Sequence, residues 1–173
     1  MKNDSGKIKV KVNCRRAPLG LMWHLRRSLS WIPQDDLENL DYIWLMDDIP
    51  DGTEDEDARR AREGECILYG AYKARQGDRP SYVLLFVRYV YEGIPALYWL
   101  TPVITWRMTR TLAHEVAHHA LAQRGYIFHP GEDEKDEEAL AERYAAEVLD
   151  RMAKRWHYRL ARWVIRDLAE THY

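Results

Sequence analysis

The spacing of apolar residues in the first third of the chain predicts a strand, a helix and a second strand. Residues 7–12 alternate between basic and apolar side chains, as in a strand with one face in water. Residues 19–29 repeat apolar side chains every three or four positions, which predicts a helix. Residues 41–46 form a short apolar run that is followed by acidic residues, Pro50 and Gly52, and we predict a second strand there.

Two further strands are predicted at residues 66–73 and 82–91, on either side of the turn-forming segment 76–80. In the second of these, residues 83–87 are apolar without interruption, which is typical of a strand inside a sheet. Residues 53–65 carry charges of both signs and almost no apolar side chains. This segment therefore predicts an exposed charged loop or a surface helix.

The second half of the chain predicts helices. Residues 112–121 are small and apolar around a few polar positions, and Gly125 ends the helix that they predict. An acidic stretch at residues 132–138 then opens a second helix, because carboxylates stabilise the positive end of a helix dipole. This helix continues to residue 149, and residues 151–170 predict a long amphipathic helix.

Together these elements predict an α+β fold. We expect a single domain over residues 1–173, a length that allows a substantial hydrophobic core. In this domain a small, mostly antiparallel sheet packs on the helix at residues 112–121. The glutamate-bearing helix and the C-terminal amphipathic helix follow it.

The C-terminal helix is predicted to have one apolar and one basic face. The apolar face consists of Met152, Trp156, Leu160, Trp163, Val164 and Leu168, and the basic face of Arg151, Lys154, Arg155, Arg159, Arg162 and Arg166. We expect the apolar face to cover the core and the basic face to lie in water. A surface for nucleic acid, anionic lipid or an acidic partner is the alternative, and nucleic acid is not favoured.

Composition and charge favour a soluble globular protein. The chain is 46% hydrophobic and 31% charged, with a net charge of -2 that gives no overall attraction to nucleic acid or to an acidic membrane. Its first residues lack the apolar core of a signal peptide, and no stretch approaches the roughly 20 apolar residues of a membrane span. Two cysteines, Cys14 and Cys66, are too few for a disulfide framework, so we expect a cytoplasmic protein.

The candidate chemistry lies in the helix at residues 112–121, which contains the sequence H-E-x-x-H. His114 and His118 are four residues apart, so both imidazoles lie on one helical face and can bind one metal ion. Glu115 lies slightly around the same face, where it can hold the attacking water and accept its proton. Ionisable side chains inside an apolar helix are costly unless they are paired, and a shared Zn²⁺ provides the pairing.

The second helix is expected to supply the third zinc ligand. Glu138 heads an apolar stripe that continues as Ala141, Tyr144, Ala145, Val148 and Leu149. A carboxylate in that place would leave zinc a fourth position for water. Glu142, one turn further on, and His129, in the connecting loop, are the alternatives. His119 points away from His118 by about 100° and is expected to lie on the outer surface or to support a ligand.

The two motifs resemble those of the gluzincin-like metallopeptidases of the ImmA/IrrE type. The first motif is H-E-V-A-H-H at residues 114–119, and the second, E-A-L-A-E-R-Y-A at residues 138–145, has the form E-x-x-A-x-x-[FY]-A. The resemblance covers about residues 105–149. It implies that His114, His118 and Glu138 bind zinc and that Glu115 is the general base.

These features predict a cytoplasmic zinc metallopeptidase, a hydrolase that binds one Zn²⁺ and cleaves a specific protein substrate. In enzymes of this resemblance an edge strand borders the cleft, and either residues 66–72 or 82–90 would provide it. Tyr126, His129 and Tyr144 are candidates for stabilising the oxyanion. The alternative is a zinc-containing regulatory protein that binds nucleic acid or a partner without proteolytic activity.

Overall fold

The computed structural model of the protein describes residues 8–49, 69–99, 101–126 and 134–170. The strands in this part are β1 (Lys9–Asn13), β2 (Tyr42–Met46), β3 (Gly70–Lys73) and β4 (Tyr82–Phe86). The α-helices are α1 (Leu21–Leu29), α2 (Val87–Tyr91), α3 (Pro102–Gln123), α4 (Glu134–Ala153) and α5 (Trp156–Glu170). Single 3-10 turns lie at Asp35–Leu37 and Ala96–Tyr98. The predicted α+β class is confirmed.

The sheet is mixed, with strand order β1-β2-β4-β3. β1, β2 and β4 run parallel, and only β3 is antiparallel to its neighbour, so the prediction of a mostly antiparallel sheet is wrong. The reason lies in the connections. Helix α1 carries the chain back between β1 and β2, which makes that pair parallel, whereas a short connection joins β3 to β4 as an antiparallel pair. The apolar patterns of the strands do not record these connections.

Helix α3 is the central element of the fold. It contacts α1, α4, α5 and β3, and most of its side chains are buried. Its start is well defined because the Thr101 hydroxyl accepts a hydrogen bond from the Val103 N–H at 3.3 Å and Pro102 occupies the first turn. Its end is followed by Gly125 in a left-handed conformation (φ 80°), as predicted.

Two predicted elements end elsewhere in the structure. The strand predicted at residues 82–91 stops at Phe86, and Val87–Tyr91 forms helix α2 instead. A continuous apolar run does not distinguish a buried strand from a buried helix, and Val87, Val90 and Tyr91 are buried in the helical form. The helix predicted at residues 151–170 is interrupted after Ala153 and begins again at Trp156 as α5.

The interruption changes which face of α5 meets the core. Tyr158 and Ala161 are buried, whereas Trp156, Leu160 and Trp163 of the predicted apolar face are exposed. The prediction continued the helical phase of Met152, which is buried at the end of α4. Because the chain leaves the helix at Lys154 and Arg155, that phase does not carry over into α5.

Several predicted features lie outside the described residues. These are the charged segment 53–65, the beginning of the strand at 66–73 with Cys66, and the loop that contains His129. Within the described ranges, no helix has both the length and the apolar character needed to cross a membrane.

Strand β3 packs directly on α3 at Gly70. A Cβ atom added there would lie 2.9 Å from the Leu84 carbonyl oxygen, 3.0 Å from Cγ of Glu115 and 3.1 Å from Cγ2 of Thr111. The closest of these atoms belongs to the backbone of the neighbouring strand and cannot rotate away. Glycine at this position therefore sets the spacing between the sheet and α3.

Gly70→Ala is expected to lower the free energy of unfolding by about 1–3 kcal/mol, because the added methyl group overpacks this contact. Denaturant unfolding measures the change. Ala71→Ser is the matched control, since Ala71 lies on the opposite face of the strand, and it is expected to change the free energy by less than about 0.5 kcal/mol. Equal stability of Gly70→Ala and the wild type would contradict close packing at this point.

Candidate metal centre

Helix α3 places two imidazoles side by side on the surface that faces α4. Nε2 of His114 lies 3.3 Å from Nε2 of His118, and both side chains are largely buried. One turn of helix separates the two residues, so this proximity follows from the four-residue spacing alone. Two nitrogen lone pairs this close repel each other unless a proton or a cation lies between them.

Helix α4 brings Glu138 to the same point. One carboxylate oxygen lies 3.1 Å from Nε2 of His114, and the other lies 3.4 Å from Nε2 of His118. The helices approach closely because Ala141 and Ala145, both buried, occupy the inner side of α4. The predicted stripe of α4 is thus the face that packs on α3.

The three side chains form a group that could hold a metal ion. A tetrahedral site with bonds of about 2.0–2.1 Å separates its ligand atoms by about 3.3 Å. The distances of 3.1, 3.3 and 3.4 Å between the nitrogen and oxygen atoms of His114, His118 and Glu138 fit that geometry. Half of the Glu138 side chain is exposed, so the group is accessible from solvent.

Glu137 orients the second imidazole. Its carboxylate lies 2.7 Å from Nδ1 of His118 and accepts the hydrogen bond from that nitrogen. With the proton on Nδ1, the lone pair of Nε2 points toward His114 and Glu138. The sequence analysis missed Glu137, because nothing in the acidic stretch distinguishes it from its neighbours until α4 is docked on α3.

Glu142 lies on the other side of the first imidazole. Its carboxylate is 3.7 Å from Nδ1 of His114, beyond hydrogen-bond distance, and 3.4 Å from the Arg110 guanidinium. Nδ1 of His114 is buried and has no hydrogen-bond partner among the described residues. The structure therefore separates Glu142 from the group formed with Glu138, and His129, the other alternative ligand, lies outside the described residues.

Burial controls the protonation of the first histidine. It lowers the pKa of His114, and the nearby charge of His118 lowers it further, against the opposing effect of Glu138. A histidine with a lowered pKa is neutral near pH 7, and neutral imidazole is the form that binds a metal ion.

Glu115 is buried between α3 and the edge strand β3. Only 8% of the residue is exposed, and the backbone N–H of Tyr72 donates a hydrogen bond to its carboxylate. Burial raises the pKa of Glu115 to about 8, and the negative charge of Glu138 contributes to the increase. A divalent cation near these carboxylates would lower that pKa again. The pKa of Glu115 is thus shifted toward neutral pH, the range in which a general base works best.

His119 supports this arrangement rather than joining it. Its Nε2 donates to the Glu38 carbonyl oxygen at 2.8 Å, and its Nδ1 accepts from the Tyr72 hydroxyl at 3.2 Å. The ring is buried, so the outer-surface location considered for it is wrong. Through Tyr72 it connects α3 to the strand that contacts Glu115.

A buried carboxylate connects the end of α3 to the middle of α4. Asp36 accepts hydrogen bonds from the Arg124 guanidinium at 2.5 Å and from the Tyr144 hydroxyl at 2.6 Å. Burial and the neighbouring Asp36 raise the pKa of Tyr144 well above its usual range. Because its hydroxyl is committed to Asp36, Tyr144 is not available to stabilise an oxyanion in this arrangement.

A separate cavity opens at the carboxyl ends of the parallel strands. It has a volume of about 1090 Å³ and is lined by Asn13, Arg15, Arg16, Pro18, residues 46–49, Val87, Arg88, Tyr91, Glu92 and Trp99. None of the residues of the candidate metal centre lines it. The candidate metal centre lies instead between α3 and α4, where the Glu138 side chain is half exposed.

Comparison of the chain with protein-family models, with curated proteins and with solved structures found no match. The resemblance to ImmA/IrrE-type metallopeptidases rests on the two motifs alone. The geometry of His114, His118 and Glu138 is an observation independent of that resemblance.

Glu137→Gln is expected to weaken zinc binding by about 10- to 100-fold, because the amide is a poorer acceptor for the Nδ1–H of His118. Competition with a chromophoric chelator measures the affinity. Glu147→Gln, an exposed change on α4, is the matched control and is expected to leave zinc affinity unchanged. Equal zinc affinities of Glu137→Gln and Glu147→Gln would show that Glu137 does not orient His118 for metal binding.

Tyr144→Phe is expected to lower the free energy of unfolding by about 1.5–3 kcal/mol, because buried Asp36 loses one of its two donors. Denaturant unfolding measures this loss. Tyr98→Phe provides the control, since Tyr98 lies at the surface and its hydroxyl has no hydrogen bond among the described residues. A loss below about 0.5 kcal/mol in Tyr144→Phe would show that Asp36 does not tie α4 to α3.

Proposed function

We propose that the protein is a zinc-dependent metallopeptidase. The observation that carries the proposal is the convergence of His114, His118 and Glu138, with their nitrogen and oxygen atoms 3.1–3.4 Å apart, beside the buried carboxylate of Glu115. The first motif contributes His114, His118 and Glu115, and the second contributes Glu138. The resemblance implies that Glu115 is the general base and that the other three residues bind zinc.

Zinc is the proposed ion because of the donor set. Two neutral imidazoles and one carboxylate are a common protein ligand set for catalytic zinc. Among the described residues, the group contains three side chains, the number of protein ligands that is typical of catalytic zinc sites. The buried carboxylate of Glu115 favours catalysis over a purely structural role, because a structural site has no need of a base beside its metal.

The bound cation would supply Lewis acidity, which acidifies water and polarises the scissile carbonyl. Glu115 accepts the proton of the attacking water and later transfers it to the leaving amine. Its burial suits the second step, because a raised pKa favours the protonated form that donates to the amine, whereas a bound cation would lower the pKa of Glu115 and favour the charged form that accepts a proton. Glu137 keeps His118 in the tautomer that presents Nε2 to the metal, and Asp36 holds α4 in place.

Strand β3 is the proposed binding site for the substrate backbone. It pairs with β4 along one edge, and its other edge has no strand partner among the described residues. β4 lies inside the sheet, so of the two candidate strands only β3 can accept an extended peptide. The contacts of β3 with Glu115 at Gly70 and Tyr72 would place that peptide next to the general base.

Glu115→Gln is expected to keep zinc and to lose peptide hydrolysis by a factor of about 10² to 10⁴, because the amide accepts no proton. Zinc content is measured by elemental analysis, and cleavage by the appearance of new amino termini in a mixture of unfolded proteins. Glu147→Gln is the control, and it is expected to match the wild type in both measurements.

Two outcomes would reject the proposal. Hydrolysis by Glu115→Gln at the wild-type rate would show that Glu115 is not the general base. The absence of new amino termini with the zinc-loaded wild type would show that the protein is not a peptidase. The ligand set is tested by comparing Glu138→Ala with Glu142→Ala. Only the former is expected to lose zinc, since Glu142 lies on the far side of His114.

A further inference from the structure

Helix α5 carries a stripe of large apolar side chains on its outer face. Trp156, Leu160 and Trp163 are 70%, 55% and 57% exposed. Their spacing of four and three residues places them on one side of the helix. Single exposed apolar residues are ordinary on protein surfaces, but two tryptophans and a leucine along one helix form a contiguous patch that calls for a partner.

The stripe cannot turn inward, because the opposite face of α5 is already packed. Tyr158 and Ala161 are buried in the core. The Tyr158 ring meets Trp31 edge to face at 5.7 Å, and its hydroxyl accepts a hydrogen bond from Nε of Arg27 at 3.2 Å. These contacts fix the rotation of the helix and leave the stripe pointing away from the protein.

Positive charge predominates around the stripe. Residues 151–166 contain six basic residues, and the nearest acidic residues in the sequence are Asp150, whose carboxylate lies 3.4 Å from the Arg162 guanidinium, and Asp167. Because the whole chain has a net charge of -2 and these six side chains contribute +6, the rest of the chain carries a net charge of -8. Arg159 and Arg162 are exposed and lie along one flank of the stripe. The segment is therefore the positive pole of an otherwise acidic molecule.

We propose that the outer face of α5 binds an anionic bilayer surface. Trp156 and Trp163 would insert their rings at the headgroup level with the indole N–H groups still hydrated, and Leu160 would lie between them. Arg159 and Arg162 would contact lipid phosphates, while the acidic remainder of the chain is repelled and orients the molecule.

Other occupants fit these observations less well. A second copy of this chain, docked stripe to stripe, would bring two positive flanks together. Nucleic acid would match the arginines and stack on the tryptophans, but it offers no partner for Leu160 at the centre of the stripe. A bilayer surface accommodates all three apolar side chains and the charge at once.

The bilayer site is separate from the candidate metal centre. The inner face of α5 packs on α3 and α4 and contacts Arg27 of α1 and Trp31, which follows α1. The exposed stripe lies on the opposite face and shares no residue with the group of His114, His118 and Glu138. Binding to lipid is accordingly expected to be the same with and without zinc, so the test does not depend on the proposed function.

The test is cosedimentation of the full chain with large vesicles of phosphatidylcholine and phosphatidylglycerol in a 7:3 ratio, with pure phosphatidylcholine as comparison. We expect binding to the anionic vesicles only. Trp156→Ser with Trp163→Ser is expected to reduce the partition coefficient by at least about tenfold, because most of the inserted apolar area is removed. Arg159→Gln and Arg162→Gln are each expected to reduce it by about fivefold.

The matched controls change the same residue types at exposed positions outside α5. Trp23→Ser removes a tryptophan that is 55% exposed on α1, and Arg143→Gln removes an exposed arginine of α4. Both are expected to bind vesicles as the wild type does. Circular dichroism confirms that each variant is folded, and Leu160→Glu provides a second variant of the stripe.

The proposal is overturned if the wild type does not bind anionic vesicles, or if the α5 variants bind as well as the wild type. It is replaced by a nucleic-acid surface if a single-stranded oligonucleotide is bound with the same dependence on Trp156 and Trp163 while vesicles are not. Concentration-dependent dimerisation that these variants abolish, again without vesicle binding, would assign the stripe to a second copy of the chain.

Discussion

The close packing of α4 on α3 is the interaction on which the candidate site depends. Two buried alanines, Ala141 and Ala145, let the helices approach until Glu138 reaches the imidazoles of His114 and His118. A larger side chain at either position would separate the carboxylate from the nitrogens. Because the contact clusters ionisable groups at 3.1–3.4 Å, a positive charge among them stabilises both the site and the contact.

Helix α3 joins this contact to the sheet. Its face toward α4 carries the two imidazoles, and its face toward β3 carries Glu115 and His119, which contact Tyr72. Gly70 sets the distance between the strand and the helix. The metal group and the general base of the proposed enzyme are thus held by different neighbours of one helix, so each has its own structural support.

Local spacing explains how much of the site could be predicted. His114 and His118 lie on one helix, where a four-residue separation fixes their proximity, and Glu138 follows from the helical stripe that it heads. Glu137 and the Asp36 network depend on the docking of elements distant in sequence, which spacing does not record. The same limit explains the errors in the fold. Strand direction depends on connections, and the phase of α5 depends on a two-residue interruption at Lys154 and Arg155.

The most direct test of the shared metal is a crystal structure of the zinc-loaded protein with anomalous scattering measured across the zinc absorption edge. One strong anomalous peak is predicted within about 2.0–2.2 Å of Nε2 of His114, Nε2 of His118 and an oxygen of Glu138. A peak bound by other residues, or no peak with the Glu138 side chain directed into solvent, would contradict the account.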